Sequence, residues 1–326
     1  MITKEQARNL EKIDLHRHAD GDVKPEIIYE LGRYIPNFPY KSLNHVKAAS
    51  VVDESDDFLS ILGKFAPAIS VMQSKENIER VFYEEVRNCS EDNIVKAELR
   101  FAPLYHMKKG LSIDDILGSA VNGMKSGAKE FGVKSGIIVC INRECSSEES
   151  VNLVKEVIKH DNSGVVGIDL ACDETNHAPL KHFEAFNIAY SNGLNRTVHA
   201  GETGLRKDDN IKDSILELKA NRLGHAVTLC NNPELISLVN DCEVGVESCP
   251  LSNIRISHAT GVNNISQLGL KKLLDSGVKI SLNTDDPRLL GFTLTDVYFN
   301  AAKELNLLIE DLQKFIHNAE ESSFIK

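Results

Sequence analysis

Residues 165–226 read VVGIDLACDETNHAPLKHFEAFNIAYSNGLNRTVHAGETGLRKDDNIKDSILELKANRLGHA. Three short runs, VVGIDLA from Val165, RTVHA from Arg196 and RLGHA from Arg222, alternate with longer stretches of helical character. The same alternation extends outward in both directions. KIDLH at 12–16, IVKAELRFAP from Ile94 and GIIVCIN from Gly136 precede it, and EVGVESCP from Glu243 and VKISLNTDDP from Val278 follow. Between these eight runs, apolar residues return at spacings of three and four, as in Val151, Val154, Val157 and Ile158, or Leu235, Ile236 and Val239, which is the stripe of an amphipathic helix. Strand and helix in regular alternation imply a parallel sheet, and eight repeats favour closure into a (β/α)8 TIM barrel over an open sheet. With no internal sequence repeat, low-complexity tract or Pro/Gly-rich linker, the expected organisation is a single domain over residues 1–326.

The composition suits such a barrel: 326 residues, 42% hydrophobic and 26% charged. Forty-eight acids against thirty-seven bases give a net charge of −11, which opposes binding to phosphate backbones and anionic lipid, so neither nucleic acid nor membrane is an expected partner. The start, MITKEQARNLEKID, lacks the apolar centre of a signal peptide, and no run approaches the ~20 apolar residues that span a bilayer; a cytoplasmic location is expected. The seven cysteines, 89, 140, 145, 172, 230, 242 and 249, form an odd set without a C-x-x-C pair, which fits reduced thiols, with Cys140 and Cys249 as small core residues.

One connection is too long. About 75 residues separate His18 from Ile94, far beyond one crossover helix, so a helical insertion is expected at roughly 22–90. PEIIYELGRYI from Pro25 has proline at a plausible first helical position and Ile27, Ile28 and Leu31 on one face. DFLSILGKFAPAI carries the apolar stripe Phe58, Leu59, Ile61, Leu62 and Phe65, readable either as core packing or as a lid, because the insertion leaves strand one at the face where barrel active sites are built.

The polar residues that interrupt the strands lie at their C-terminal ends. In KIDLHRHADG, His16 and His18 are two apart and face the barrel interior together, while Arg17 faces the helix layer. TVHAGE supplies His199 and Glu202, LGHA supplies His225, and LNTDDP supplies Asp285 and Asp286. Three histidines and one aspartate suit a borderline divalent ion, zinc first, with a position left for water. A set spread over three strands, with no cysteine, fits catalysis better than a closed structural site. If His16, His18, His199 and Asp285 hold the ion, Glu202, His225 and Asp286 remain as ionisable groups around it. A metal lowers the pKa of bound water from about 15.7 towards 7, an imidazole can take its proton, and a carboxyl of raised pKa can protonate the leaving side of a substrate. Each residue alone has a plainer explanation: His225 a core histidine, Glu202 a helix-start carboxylate, Asp286 a cap beside Pro287. The remaining histidines read as structural or solvated, and Arg100 in ELRFAP as a strand charge paired with a carboxylate.

IDLHRHADG, ELRFAP, GIDLACDE, TVHAGE, LGHA, VESCPLSN and SLNTDDP together resemble, in order, the motifs of the adenosine deaminases, over residues from about Leu10 to Phe324. HRH with the following D-G pair, and ELGR, are most similar to the bacterial members. The resemblance implies hydrolysis of the 6-amino group of adenosine or 2′-deoxyadenosine to inosine or 2′-deoxyinosine and ammonia, within purine salvage, by an enzyme with one Zn2+ per chain. It implies His16, His18, His199 and Asp285 as zinc ligands and Glu202 as the proton donor to purine N1. His225 becomes the partner of the zinc-bound water, and Asp286 the group bonding N7. Asp20 contacts a ribose hydroxyl, His18 also lines the pocket, and Ile61, Leu62 and Phe65 form the apolar gate.

Three positions depart from the family pattern. Ala19 stands for leucine in H-x-H-L-D-G, Cys172 for the glycine of L-A-G-D-E, and Ala226 for the second glycine of G-H-G. The usual glycine presents its N–H to purine N3; Cys172 keeps that donor but adds a side chain, with strain if the backbone there has positive φ. Ala19 is expected to remove bulk from the pocket entrance, and Ala226 to add a methyl beside His225. Adenine deaminase or another purine-type aminohydrolase is the alternative reading, with Asp20 favouring a nucleoside; a non-catalytic nucleoside-binding protein would have lost a ligand or the acid, and both are kept. The H-x-E…P-C-x-x-C signature of the nucleic-acid and cytidine-type deaminases is absent. A phosphorylated substrate would want an Arg/Lys cluster at the same mouth, and none stands beside these motifs.

Overall fold

Each of the eight β-rich runs forms a strand: β1 (Lys12–His18), β2 (Ile94–Phe101), β3 (Lys134–Asn142), β4 (Val165–Ala171), β5 (Asn195–Ala200), β6 (Arg222–His225), β7 (Gly245–Ser248) and β8 (Ile280–Leu282). The computed structural model describes residues 2–53, 56, 58–160 and 163–326. The strands pair in parallel in the order β1 to β8. Closure is made by backbone bonds beyond the end of β8: Asp285 N–H donates to His16 C=O at 2.8 Å, and His18 N–H donates to Asp285 C=O at 2.9 Å. The chain is a (β/α)8 barrel, and its strands are apolar on both faces, as GIIVCIN of β3 illustrates, because side chains fill the inside and helices cover the outside.

The eighth strand is shorter than the run VKISLNTDDP suggests. After Leu282 the Asn283 side chain, rather than the ladder, accepts the Leu15 N–H at 2.8 Å, and Asp285 has φ +72°. Polar side chains and a left-handed residue thus replace the regular pairing at the rim.

The 22–90 segment contains the helices Pro25–Gly32, Leu43–Ser50, Phe58–Gly63 and Ala66–Val71, followed by Lys75–Glu91. Pro25 occupies the first turn and Ile28 is buried. Lys75–Glu91, capped by Ser74, lays Ile78, Val81, Phe82 and Val86 into the core. Its Glu85 lies 3.7 Å from Arg17, which also pairs with Asp22, so Arg17 does face the helix layer. Of the other helices, Pro25–Gly32 and Leu43–Ser50 pack against Ala66–Val71, which together with Phe58–Gly63 carries residues that line the barrel mouth. Val52 and Ile61 pack there with Ile256, Leu289 and Leu290 in an apolar cluster separate from the main core, with Phe65 against it. The side chains of Phe58 and Leu59, part of the predicted stripe, lie outside the described residues. Among the described residues all seven cysteines are free, Cys140 and Cys249 are buried, and no helix is long and apolar enough to cross a membrane.

Candidate active site

The two histidines of β1, the one of β5 and the aspartate beyond β8 meet at the C-terminal rim. His16 Nε2 lies 3.1 Å from His199 Nε2, and His18 Nε2 lies 3.3 Å from the same atom. Asp285 Oδ1 is 3.3 Å from His16 Nε2 and 3.4 Å from His18 Nε2. Local backbone makes this possible. The β1–β2 register shifts between Asp14 and Arg17, where His16 sits, and Gly224 leaves the space of its ring, since a Cβ there would stand 2.7 Å from His16 Cε1.

Buried partners fix which nitrogens face the rim. Glu247 Oε2 is 2.7 Å from His16 Nδ1, and Asp169 Oδ2 is 2.9 Å from His199 Nδ1. Arg100 bridges the two carboxylates, at 2.8 Å from Asp169 and 2.7 Å from Glu247. With Nδ1 donating in each ring, the Nε2 lone pairs of His16 and His199 point at one another across 3.1 Å, an arrangement that calls for a cation between them. Charge agrees: Asp169, Glu247, Asp285 and Glu98 against Arg100 and Arg222 leave two uncompensated negative charges, that of one divalent ion. The separations match the ~3.4 Å edge of a tetrahedron with ~2.1 Å bonds. These four residues therefore fit a metal ion, and Ser252 Oγ steadies the other oxygen of Asp285 at 2.6 Å. Cys249, expected only as core, also lies close enough to form a second donor group with His16, His225 and Asp285. Burial pushes its thiol well above the ordinary range, so it is a weaker donor than the imidazoles.

The cluster floors a cavity of about 520 Å³ whose wall includes His18, Asp20, Cys172, His199, Glu202, His225, Asp285 and Asp286. Glu202 is no helix-start carboxylate, since the following helix begins at Lys207. It stands on a turn that Glu174 holds by accepting the N–H groups of Gly201, Glu202 and Thr203 at 2.7, 2.8 and 2.9 Å. Burial, and then the charge of Asp285, push the Glu202 carboxyl up to about 8, so it carries a proton at neutral pH. His225 receives the Asn253 amide on Nδ1 at 2.9 Å, and its Nε2 is buried without a partner; burial holds its imidazole well below the usual range, hence neutral. Asp286 makes no side-chain cap to the helix Pro287–Leu290, and its buried Oδ1 is unpartnered. It occupies the space that Gly21 lacks, because a Cβ on Gly21 would meet Asp286 Oδ1 at 1.8 Å. Burial, with Asp285 and Asp20 nearby, raises Asp286 far above the carboxylate range, and burial lifts Asp20 to about 7. Ile61, Leu62 and Phe65 line the outer part of the cavity.

Two of the departures from the family pattern fall on left-handed backbone: φ is +79° at Cys172 and +47° at Ala226, beside His225 at +65°. The thiol of Cys172 is held by the Tyr105 hydroxyl at 3.7 Å and by the Asn142 amide, which donates at 3.5 Å. The third behaves differently from expectation. Ala19 is fully buried in the main core and does not line the cavity, so it does not widen the entrance. Nor is the mouth free of cations: Lys108 and Lys109, in the loop after β2, reach the cavity wall, although nothing in their local sequence associates them with the strand-end motifs.

Asp169 and Glu174 lie within GIDLACDE, and Glu247, Ser252 and Asn253 within VESCPLSN, but the sequence assigns none of them a role. A signal for Asp169 and Glu247 is nonetheless present: each is an acid inside an otherwise apolar strand, like Arg100, and a buried strand charge needs a partner. Glu174, by contrast, acts on backbone groups 27 to 29 residues away and on the Asn210 amide, a role that its place in GIDLACDE does not reveal.

A rim of imidazoles and carboxylates that fits a divalent ion, with a protonated acid and a neutral imidazole beside it at the C-terminal mouth of a (β/α)8 barrel, defines a hydrolase of the metal-dependent amidohydrolase type. Comparison narrows the class. Residues 11–326 match the adenosine deaminase family model. An adenosine deaminase of Clostridium acetobutylicum is 36% identical over 99% of this chain and 96% of its own length, and one of Clostridium kluyveri is 34% identical over 96% and 89%. The chain belongs to the adenosine deaminase family. Among solved structures, a zinc-bound amidohydrolase of Burkholderia ambifaria is similar in fold (TM-score 0.88, 23% identity, 100% of this chain and 90% of that one). So are an adenine deaminase of Arthrobacter aurescens (0.87, 22%, 97% and 94%) and an N6-methyl-AMP deaminase of Arabidopsis thaliana (0.85, 22%, 99% and 95%).

Proposed function

We propose that the chain, acting as one domain over residues 1–326, hydrolyses adenosine and 2′-deoxyadenosine to inosine and 2′-deoxyinosine with release of ammonia, in purine salvage, with one Zn2+ held by His16, His18, His199 and Asp285. The observation that carries this reading is the convergence of those four donors at 3.1–3.4 Å beside Glu202 and His225 in a single cavity. Bound there, zinc makes water acidic enough to serve as a nucleophile at neutral pH.

The chain's own residues do the rest. His225, neutral and with Nε2 unpartnered, takes the proton of the attacking water, whose oxygen adds at purine C6. Purine N1 and N7 are acceptors, so their partners must donate. Glu202, which holds its proton up to about 8, protonates N1, and Asp286, raised further still, hydrogen-bonds N7. His225 then passes the proton it took from water to the amino nitrogen, the C6–N bond breaks with its electron pair leaving on ammonia while C6=O forms, and the remaining hydroxyl proton restores Glu202. The Cys172 N–H meets N3 and Asp20 meets a ribose hydroxyl. Ile61, Leu62 and Phe65 exclude bulk water from above.

The test is loss of adenosine's ultraviolet absorbance, measured with and without prior chelation and in Glu202→Gln. Activity should disappear in the first case, return with Zn2+, and fall by ~10²–10⁴ in the second. Full activity in either case overturns the proposal. Lys108 and Lys109 on the wall favour a second reading, a nucleoside 5′-monophosphate as substrate. A higher kcat/KM for AMP than for adenosine, lost in Lys108→Ala/Lys109→Ala, would establish it; activity on adenosine alone would remove it.

A further inference from the structure

The charges behind the metal cluster do not end at Glu247. Its two oxygens are saturated: Oε2 accepts from His16 and Arg100, both at 2.7 Å, while Oε1 accepts from Thr197 Oγ1 at 2.8 Å and from Arg222 Nε at 2.6 Å. Arg222 continues to Glu98, at 2.5 Å from its NH2. Asp169, Arg100, Glu247, Arg222 and Glu98 thus alternate in sign along the barrel interior, each at most 1% exposed.

The far end of this ladder is gripped by the C-terminal tail. Arg222 NH1 donates to Ser322 C=O at 2.8 Å, and its guanidinium lies 3.6 Å over the Phe324 ring. Glu98 Oε1 accepts the Phe324 N–H at 2.6 Å and the Ser323 hydroxyl at 2.8 Å. Three glycines make room for the tail at the strand starts. A Cβ on Gly136 would stand 3.0 Å from Ile325, one on Gly167 3.0 Å from Phe324, and one on Gly245 2.9 Å from Ser322.

We propose that Arg222 is a positioning residue for the rim cluster, and that the tail Ser322–Phe324, closing the opposite end of the barrel, is its anchor. This rests on the reading of the cluster as a metal site. A buried carboxylate with four donors cannot turn, so Glu247 holds His16 with Nδ1 donating and Nε2 turned to the rim. Without Arg222, Oε1 keeps only a neutral hydroxyl, and the carboxylate has half its cationic support. It then shifts towards Arg100, and the His16 ring follows.

The experiment is a Zn2+ competition titration against a chromophoric chelator on the full chain, wild type, Arg222→Met, Arg222→Lys and Phe324→Ala, with the visible spectrum of the Co2+-loaded protein and the melting temperature of the metal-free protein recorded for each. Removing an outer partner of a metal ligand costs ~10–100-fold in affinity; Arg222 holds that partner rather than the ligand, so Arg222→Met should weaken Zn2+ severalfold, up to about tenfold, and move the Co2+ bands. Lysine should restore most of the affinity, and Phe324→Ala should weaken it measurably, by less than Arg222→Met does. Lower melting temperatures with unchanged Zn2+ affinity and Co2+ spectra would make Arg222 and the tail a mere brace and overturn the proposal. If Arg222→Met does not fold, unchanged affinity and spectrum in Phe324→Ala overturn it equally. A wild type that binds no Zn2+ would instead remove the metal-site reading itself.

Discussion

Glu202 is the residue whose chemistry depends most on its surroundings. An ordinary glutamic acid titrates near 4.5; here burial and Asp285 hold the proton up to about 8. The active form is the protonated one, so kcat/KM should show an alkaline limb falling tenfold per pH unit that is absent from Glu202→Gln. The same shift has a sign for stability. A carboxyl raised on folding binds more protons in the native than in the unfolded state between about 4.5 and 8, so stability falls as pH rises through that window. Glu202→Gln should therefore raise the melting temperature of the metal-free protein more at pH 8 than at pH 4. Cys172 and Ala226 bear a different cost. A side chain on left-handed backbone is disfavoured by ~1–2 kcal/mol, against ~0.4–1 kcal/mol of extra unfolded-state entropy for glycine. Ala226→Gly should thus be neutral to about 1 kcal/mol stabilising in denaturant titrations. Cys172→Gly gives up the contacts with Tyr105 and Asn142 and should gain less. Unchanged catalytic efficiency with adenosine in Cys172→Gly would remove that residue from the account of specificity.

At the scale of elements, strands supply the histidines of the site, while turns beyond the strand ends supply Glu202, Asp285 and Asp286. The turn at 201–203 closes on Glu174, which accepts three backbone N–H groups and the Asn210 amide at 3.0 Å. Glu174→Gln sets an NH2 against those donors and leaves buried groups unsatisfied, each costing ~1–3 kcal/mol. The expected result is a lower kcat, because Glu202 loses its place, with a melting temperature down by several degrees. Gly21 is the second such point: alanine would strike Asp286, so Gly21→Ala should raise KM and lower kcat together in steady-state assays while leaving Zn2+ content unchanged. Strand existence and helix alternation were legible in the sequence, since they follow from apolar spacing. The limits of β8 were not, because Asn283 substitutes for a ladder bond to Leu15, a residue 268 positions away.

For the whole molecule, an ion bound to the native but not the unfolded chain stabilises by RT ln(1 + [L]/Kd), about 2.7 kcal/mol at a hundredfold excess over Kd. Chelation should therefore lower the melting temperature by about 4 °C, reversibly with Zn2+, in differential scanning calorimetry. The sequence by itself determined the barrel, through eight β-rich runs in helical alternation, and the residues of the rim, because polar groups interrupt otherwise apolar strand ends and match family motifs. Both are local signals, each contained in a short stretch of chain. Tertiary structure alone decided what is relational: that the Nε2 atoms of His16 and His199 face one another, that Ala19 is core rather than pocket wall, that Lys108 and Lys109 reach the cavity, and that Glu174 holds the turn of Glu202. Burial and distance between segments far apart in the chain set lone-pair directions, proton affinities and pocket walls, and those quantities do not exist until the barrel closes.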